Sequence, residues 1–261
     1  MSKTIFITGA GSGLGRGTAI GLAKKGHQVI ATTETTSQKT DLLREANDNK
    51  LSIEVFKLDI TNEIDLNQIN RYDFDVFVAN AAINERGPLA EVPMERFRQI
   101  FEINVFATLK SVQFAAKQFV GKKRGKILFM SSIAGILGAP YGGPYAATKH
   151  AIEAMASSLS KELKPFNVQV GTINPGPFNT GFNDRAAEEQ WKWFDPETNF
   201  SDAEDMKEKE EGLNNQFDPK EMIDKMIEVI PQDHHKYRTA FPQETEDKMK
   251  EMQQERWEAE L

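Results

Sequence analysis

Tyr145 and Lys149 stand four residues apart in Pro144-Tyr145-Ala146-Ala147-Thr148-Lys149, and Ser132 precedes the tyrosine by thirteen. On a helix that spacing puts phenol and ammonium on one face, about one turn apart. A free tyrosine titrates near ~10, too high for a base at neutral pH. A nearby cation favours the phenolate, and a phenol tuned this way exchanges a proton with a hydroxyl or carbonyl oxygen. Ser132 follows the apolar run Lys126–Met130, so its hydroxyl sits at a strand end where it can bond the same oxygen. By spacing alone, such a pair is more often an incidental helix contact, and a Ser-Ser after a strand more often a loop or cap.

A second cluster lies at the start of the chain. Strand-like Thr4–Thr8 runs into Thr8-Gly9-Ala10-Gly11-Ser12-Gly13-Leu14-Gly15, and Leu14, Thr18, Ala19, Leu22 and Ala23 then recur at helical spacing. Glycines permit a tight turn and a close main-chain approach, and the helix N-terminus offers free N–H groups and a positive dipole end. That makes a cradle for the phosphates of a dinucleotide or, without a ligand, a tight packing turn. G-x-G-x-x-G occurs in no frame; the spacing is T-G-x-x-x-G-x-G.

These side chains need a scaffold. Strand patterns at Thr4–Thr8, Gln28–Thr33, Ser52–Leu58, Val76–Ala79, Lys126–Met130, Val168–Ile173 and, weakly, Tyr237–Phe241 alternate with helical ones near 14–25, 38–47, 63–69, 94–120, 146–164 and 219–229. Such alternation predicts right-handed βαβ units and a parallel sheet. Ile5-Phe6-Ile7 and Val76-Phe77-Val78 are apolar at consecutive positions, as strands covered on both faces are. Asp218 and Pro219 make a helix start, and Met222, Ile223, Met226, Ile227 and Ile230 form a core-facing stripe. No linker or repeat divides the chain, which predicts one domain over 1–261. The last stretch, 243–261, reads as a surface helix or an arm.

Composition narrows the function. There is no cysteine, which excludes disulfides, thiolate zinc sites and a thiol nucleophile. Residues 201–261 hold 18 acids against 9 bases, whereas residues 1–200 hold 21 against 23. The acidity belongs to the tail, and no basic footprint for nucleic acid is present. The start carries no signal-peptide pattern and no run approaches a membrane span, so a cytoplasmic protein with no membrane partner is expected. His234-His235 lacks metal-ligand spacing, so no metal is expected. A Gly-x-Ser-x-Gly elbow and a P-loop are both absent.

Taken together, Thr8-Gly9-x-x-x-Gly13-x-Gly15, Asn80-Ala81-Ala82, Asn104, Ser132, Tyr145-x-x-x-Lys149 and Pro175-Gly176 resemble the short-chain dehydrogenase/reductase family over residues 3 to about 180. The resemblance implies an α/β fold, a doubly wound (Rossmann-type) seven-stranded parallel sheet with helices on both faces. It implies hydride transfer between a nicotinamide cofactor and an alcohol or ketone. By position, Tyr145 is the general acid/base, Lys149 binds the nicotinamide ribose and lowers the tyrosine pKa, Ser132 polarises the substrate oxygen, and Asn104 helps hold a relay water. The cofactor set it implies is Gly9, Ser12, Gly13, Leu14 and Gly15 in the turn, Thr33 and Glu34 after strand two, and Asp59 with Ile60 at the adenine. Asn80 and Ala81, with Tyr145 and Lys149, continue that set, which ends in Pro175, Gly176, Phe178 and Thr180 closing over the nicotinamide. Ala82 stands where the family usually has Gly, and Phe178 where it has Val or Ile. Thr33 occupies the usual Asp position and Glu34 the place of an Arg in many NADP-dependent members. A carboxylate beside a 2′-phosphate is unfavourable, so NAD is the expected cofactor, with NADP the alternative. The family also implies a homodimer or homotetramer, to which Ala146, Ala147, Ala151, Ala154 and Ala156 allow close approach.

The segment 177–217 holds Phe178, Phe182, Trp191, Trp193, Phe194, Phe200 and Phe217. It reads either as an aromatic lid over an apolar substrate, with Ile136, Leu137 and Tyr141 on the opposite wall, or as a helix packed on the body. The alternative to an enzyme is a non-catalytic nucleotide-sensing protein on the same fold; an epimerase using bound cofactor ranks behind both.

Overall fold

Ile5-Phe6-Ile7 lie opposite Val76-Phe77-Val78 in parallel register, and all six are buried. Their side chains alternate between two cores. Phe6 and Phe77 join Phe74, Phe119 and Phe129 on one face, while Ile5, Ile7, Val76 and Val78 join Leu22, Met222 and Met226 on the other. Two-sided burial is what a run without polar alternation requires.

The computed structural model describes residues 1–211 and 215–260. Its strands are β1 (Thr4–Ile7), β2 (Gln28–Thr33), β3 (Ile53–Lys57), β4 (Val76–Ala79), β5 (Gly125–Met130), β6 (Val168–Pro175) and β7 (Arg238–Phe241). All pair in parallel in one sheet of order β3-β2-β1-β4-β5-β6-β7. The winding reverses between β1 and β4, and a crevice opens there at the C-terminal strand ends. The helices are α1 (Gly13–Lys24), α2 (Thr36–Asp48), α3 (Glu63–Leu66), α4 (Met94–Phe101), α5 (Thr108–Lys122), α6 (Gly143–Glu162), α7 (Phe182–Gln190), α8 (Ala203–Glu211), α9 (Pro219–Val229) and α10 (Gln243–Glu258). α1, α2 and α9 cover one face of the sheet; α5 and α6 cover the other.

Two departures from the sequence pattern have physical reasons. The continuous helix expected over 94–120 is interrupted by a π-helical turn, Glu102–Ala107, which carries Asn104. The weakly patterned β7 is a real strand. It is an edge, paired only to β6, so it needs less apolar character. α7 and α8 lie inside 177–217, and α8 falls on the charge run Ser201–Glu211, which reads as a helix face. α10 has no buried residue and is a surface helix. Of the five alanines of α6, Ala146 and Ala156 are buried in the body, while Ala147, Ala151 and Ala154 are not. Among the described residues no helix is long and apolar enough to cross a membrane.

Candidate active site

The glycine turn lies at the switch between β1 and β4, and Asn80 clamps it there. Asn80 Nδ2 donates to the main-chain oxygens of Thr8 and Gly9 at 2.9 and 3.0 Å. The Asn80 and Ala81 N–H groups donate to Thr8 Oγ1 at 3.0 and 3.1 Å. A Cβ on Gly15 would stand 2.5 Å from Asn80 Nδ2, so only glycine lets α1 start this close to the strand. The first main-chain bond of α1 runs from Arg16 N–H to Ser12 O at 3.2 Å. The Gly13, Leu14 and Gly15 N–H groups therefore have no partner in the helix, as an anion cradle requires. Thr180 stands over Gly13, its Cβ 3.5 Å from where a side chain there would begin. The segment Pro175-Gly176-Pro177-Phe178-Asn179-Thr180 thus approaches the turn at Gly13, and the free N–H groups of the turn fit the phosphates of a dinucleotide.

At the ends of β2 and β3 the picture is mixed. Glu34 is exposed, whereas Thr33 is buried and spends its hydroxyl on Thr35 O at 3.0 Å. Arg16 is bound to Glu45 at 2.7 Å, and Lys57 pairs with Asp65 at 3.0 Å. Asp59 Oδ1 accepts from Thr61 N–H and Oγ1–H at 2.9 and 2.7 Å, which fixes the carboxylate. Two residues of the expected cofactor set keep their side chains in the core. Ile60 is buried in the sheet core, and Phe178 is buried against Phe217 and Phe241. Both are apolar side chains that gain more from the core than from a polar cofactor, so only their main chains are left to face one.

On α6, Lys149 Nζ lies 5.4 Å from the centre of the Tyr145 ring and donates to Met130 O at 2.8 Å. Ser132 Oγ accepts from Ala134 N–H at 3.1 Å and lies 3.5 Å from Pro175 O. Burial pushes the Tyr145 phenol up, and the Ser132 hydroxyl pulls it back. Burial also pulls the Lys149 ammonium down to about 7, against the opposing charge of Glu153. Among protein groups alone, desolvation therefore outweighs the expected acidification of the phenol by the lysine. Asn104 is buried with its side chain spent: Oδ1 accepts from Ile83 N–H at 2.9 Å, and Nδ2 donates to Ile83 O at 2.8 Å and Thr148 Oγ1 at 3.2 Å. It joins the π-turn to the segment after β4 and to α6, so its side chain positions the site.

Two carboxylates of the body hold the segment 182–211, and one of its own braces it. Glu85 takes Arg96 at 3.2 Å and Trp193 Nε1–H at 3.3 Å. Glu91 accepts from Asn199 Nδ2, Phe200 N–H and Ser201 N–H at 3.0, 2.6 and 3.1 Å. Glu210 accepts from Trp191 and Gln190 at 2.8 and 3.1 Å. Tyr141 donates to Asp205 rather than lining an apolar wall. Of the lid aromatics, Phe182 meets the Tyr145 ring edge-on at 5.8 Å, Phe200 is exposed, and Trp191, Trp193, Phe194 and Phe217 pack the lid to itself or the body. Sequence reading missed Glu85, Glu91 and Asn174. Only Asn174 had a signal, its place immediately before Pro175-Gly176.

The chain belongs to the short-chain dehydrogenase family, whose model matches residues 3–191. A diacetyl reductase, (S)-acetoin forming, of Staphylococcus epidermidis is 33% identical over 202 residues, covering 75% of this chain and 79% of the relative. A short-chain dehydrogenase of Streptomyces avermitilis superposes with TM-score 0.82 at 25% identity, over 99% of this chain and 94% of that one. One from Sphingobium yanoikuyae, solved in complex with NADPH, shares the fold with TM-score 0.76 at 21% identity, over 97% of this chain and 93% of that one. This chain is an oxidoreductase of nicotinamide-dependent alcohol and ketone chemistry; neighbours of its fold bind NAD or NADP.

Proposed function

We propose that Tyr145 is the general acid/base of this reaction, with Ser132 and Lys149 as its partners and an apolar small molecule as substrate. What supports this reading is that Lys149 lies over the Tyr145 ring and Ser132 bonds its phenol, while Ser132 also meets Pro175 at the start of the segment whose Thr180 stands over the glycine turn. A bound nicotinamide supplies the hydride acceptor or donor. In alcohol oxidation Tyr145 Oη takes the hydroxyl proton, Ser132 Oγ holds the same oxygen, and Lys149 favours the phenolate. In carbonyl reduction Tyr145 returns the proton to the developing alkoxide. Gly13, Leu14 and Gly15 N–H groups hold the phosphates, and Asp59 holds the adenine end. A panel of alcohols and carbonyls, followed by cofactor absorbance with both cofactors, tests the reading; no turnover across the panel would overturn it.

NAD is the proposed cofactor because Glu34 is exposed at the end of β2, with Arg16 and Lys57 engaged by other acids. Glu34→Arg is expected to move the ratio of kcat/KM values toward NADP by roughly 10- to 100-fold, the scale of replacing repulsion by attraction at a phosphate. A wild type that already prefers NADP strongly would sink the assignment.

Phe182 gives the substrate side its apolar wall. Phe182→Ala is expected to raise kcat/KM for a bulky ketone over a small one by about 10-fold, the worth of a few methylenes in a pocket. Small charged hydroxy acids outperforming apolar alcohols on the wild type would contradict the apolar reading.

A further inference from the structure

α6 carries a third titratable group in line with the first two. Tyr145, Lys149 and Glu153 stand at i, i+4 and i+8, on one stripe of the helix. The Glu153 side chain is 11% exposed, and both its oxygens are engaged. Oε1 accepts from Asn174 Nδ2 at 2.6 Å and Oε2 from Arg238 Nη2 at 2.7 Å. Asn174 Nδ2 also donates to the main-chain oxygen of Ser132 at 3.0 Å. One carboxylate therefore joins α6 to β6 and β7 and, by one further bond, to Ser132 beyond β5. Lys149 is anchored two residues before that serine, on Met130 O.

We infer that Glu153 is a positioning residue for proton transfer, its fixed negative charge seating the Lys149 ammonium beside Tyr145. The inference rests on the acid/base reading of Tyr145. The groups facing Glu153 are Lys149 on its own helix, Asn174 on β6, Arg238 on β7 and Tyr237 just before β7, whose phenol burial and Glu153 push up. Facing Lys149 are the Tyr145 ring, the Met130 carbonyl and Glu153. Glu153 is the one of these that opposes the burial of the ammonium. Arg238 holds the carboxylate and also offsets part of its charge.

Two roles separate by sign. If Glu153 only staples β7 to α6, then removing either member of the Glu153–Arg238 pair does the same damage. If its charge acts on Lys149, the two removals act in opposite directions. The experiment is the pH profile of kcat/KM for alcohol oxidation, with Tm, for wild type, Glu153→Gln, Glu153→Asp and Arg238→Gln. Glu153→Gln is expected to move the ascending limb up by about one pH unit, with roughly tenfold less activity below it. Glu153→Asp restores the limb toward wild type, and Arg238→Gln moves it down. Limbs that coincide, or that move the same way in Glu153→Gln and Arg238→Gln, overturn the proposal. Where Glu153→Gln does not fold, Arg238→Gln decides alone: a limb unchanged or raised overturns it. Tyr145→Phe, assayed alongside, tests the underlying reading separately, since full turnover there removes the base itself.

Discussion

Tyr145→Phe loses turnover by about 10³-fold, the middle of the range for removing a general acid/base, while cofactor affinity stays near wild type. The substitution deletes one oxygen and keeps the ring. The ring makes the edge-on contact with Phe182 and lies beneath Lys149 Nζ, so packing survives. Ser132 keeps its bond from Ala134 N–H. What disappears is the atom that carries the proton. Single-turnover absorbance of the reduced cofactor measures the chemical step, and fluorescence titration measures binding. A variant retaining more than about a tenth of wild-type turnover lies outside that range and ends the assignment. A protein that only senses nucleotide keeps its full response in the variant. The pH dependence has a defined sign. Burial holds the phenol protonated, so oxidation, which needs the phenolate, gains as pH rises, while reduction, which needs the proton, gains as pH falls.

The parts of the site carried by local spacing were legible in the sequence. Tyr145 and Lys149 needed only one helix, and Gly9, Gly13 and Gly15 only one strand-to-helix turn. The parts that depend on distant elements were not. Glu153 and Arg238 meet across 85 positions, through an edge strand whose pattern was weak. Glu91 holds the Asn199–Ser201 turn across 108 to 110 positions, and nothing in either segment marks the pair. Phe182 and Phe178 are four residues apart and looked alike, yet one meets the Tyr145 ring and the other is core. Their difference comes from where the chain leaves β6, which no periodicity records. The π-turn at 102–107 belongs to the same class. It carries Asn104, whose partner Ile83 lies on the segment after β4, a pairing that local periodicity does not record. The charge run Ser201–Glu211 reads as a solvated helix face, and much of it is one. Asp205 and Glu210 nonetheless each accept a hydrogen bond, from Tyr141 and from Trp191.

Gly9→Ala damages both stability and cofactor binding. Gly9 has φ of +67°, and a Cβ there would stand 2.6 Å from Ala81 Cα, a main-chain atom that cannot rotate aside. The left-handed backbone costs a side chain about 1–2 kcal/mol, and overpacking adds about 1–3 kcal/mol. To relieve the clash the turn must draw away from β4. That breaks the Asn80 bonds to Thr8 O and Gly9 O and swings the first N–H groups of α1 off the phosphates. Gly26→Ala is the control. Its φ is +85°, but no atom lies within 4 Å of the added carbon among the described residues, so it bears the backbone strain alone. Thermal unfolding at increasing NAD separates the two effects, because the stabilisation by ligand is RT ln(1 + [L]/Kd) and reads Kd directly. Gly26→Ala is expected to lower Tm modestly and keep the wild-type response to NAD. Gly9→Ala is expected to lower Tm further and to need at least about tenfold more NAD for the same rise, each tenfold being about 1.4 kcal/mol of lost binding. If the two variants respond to NAD alike, the close approach of Gly9 to Ala81 does not shape the cradle, and the phosphates are held elsewhere.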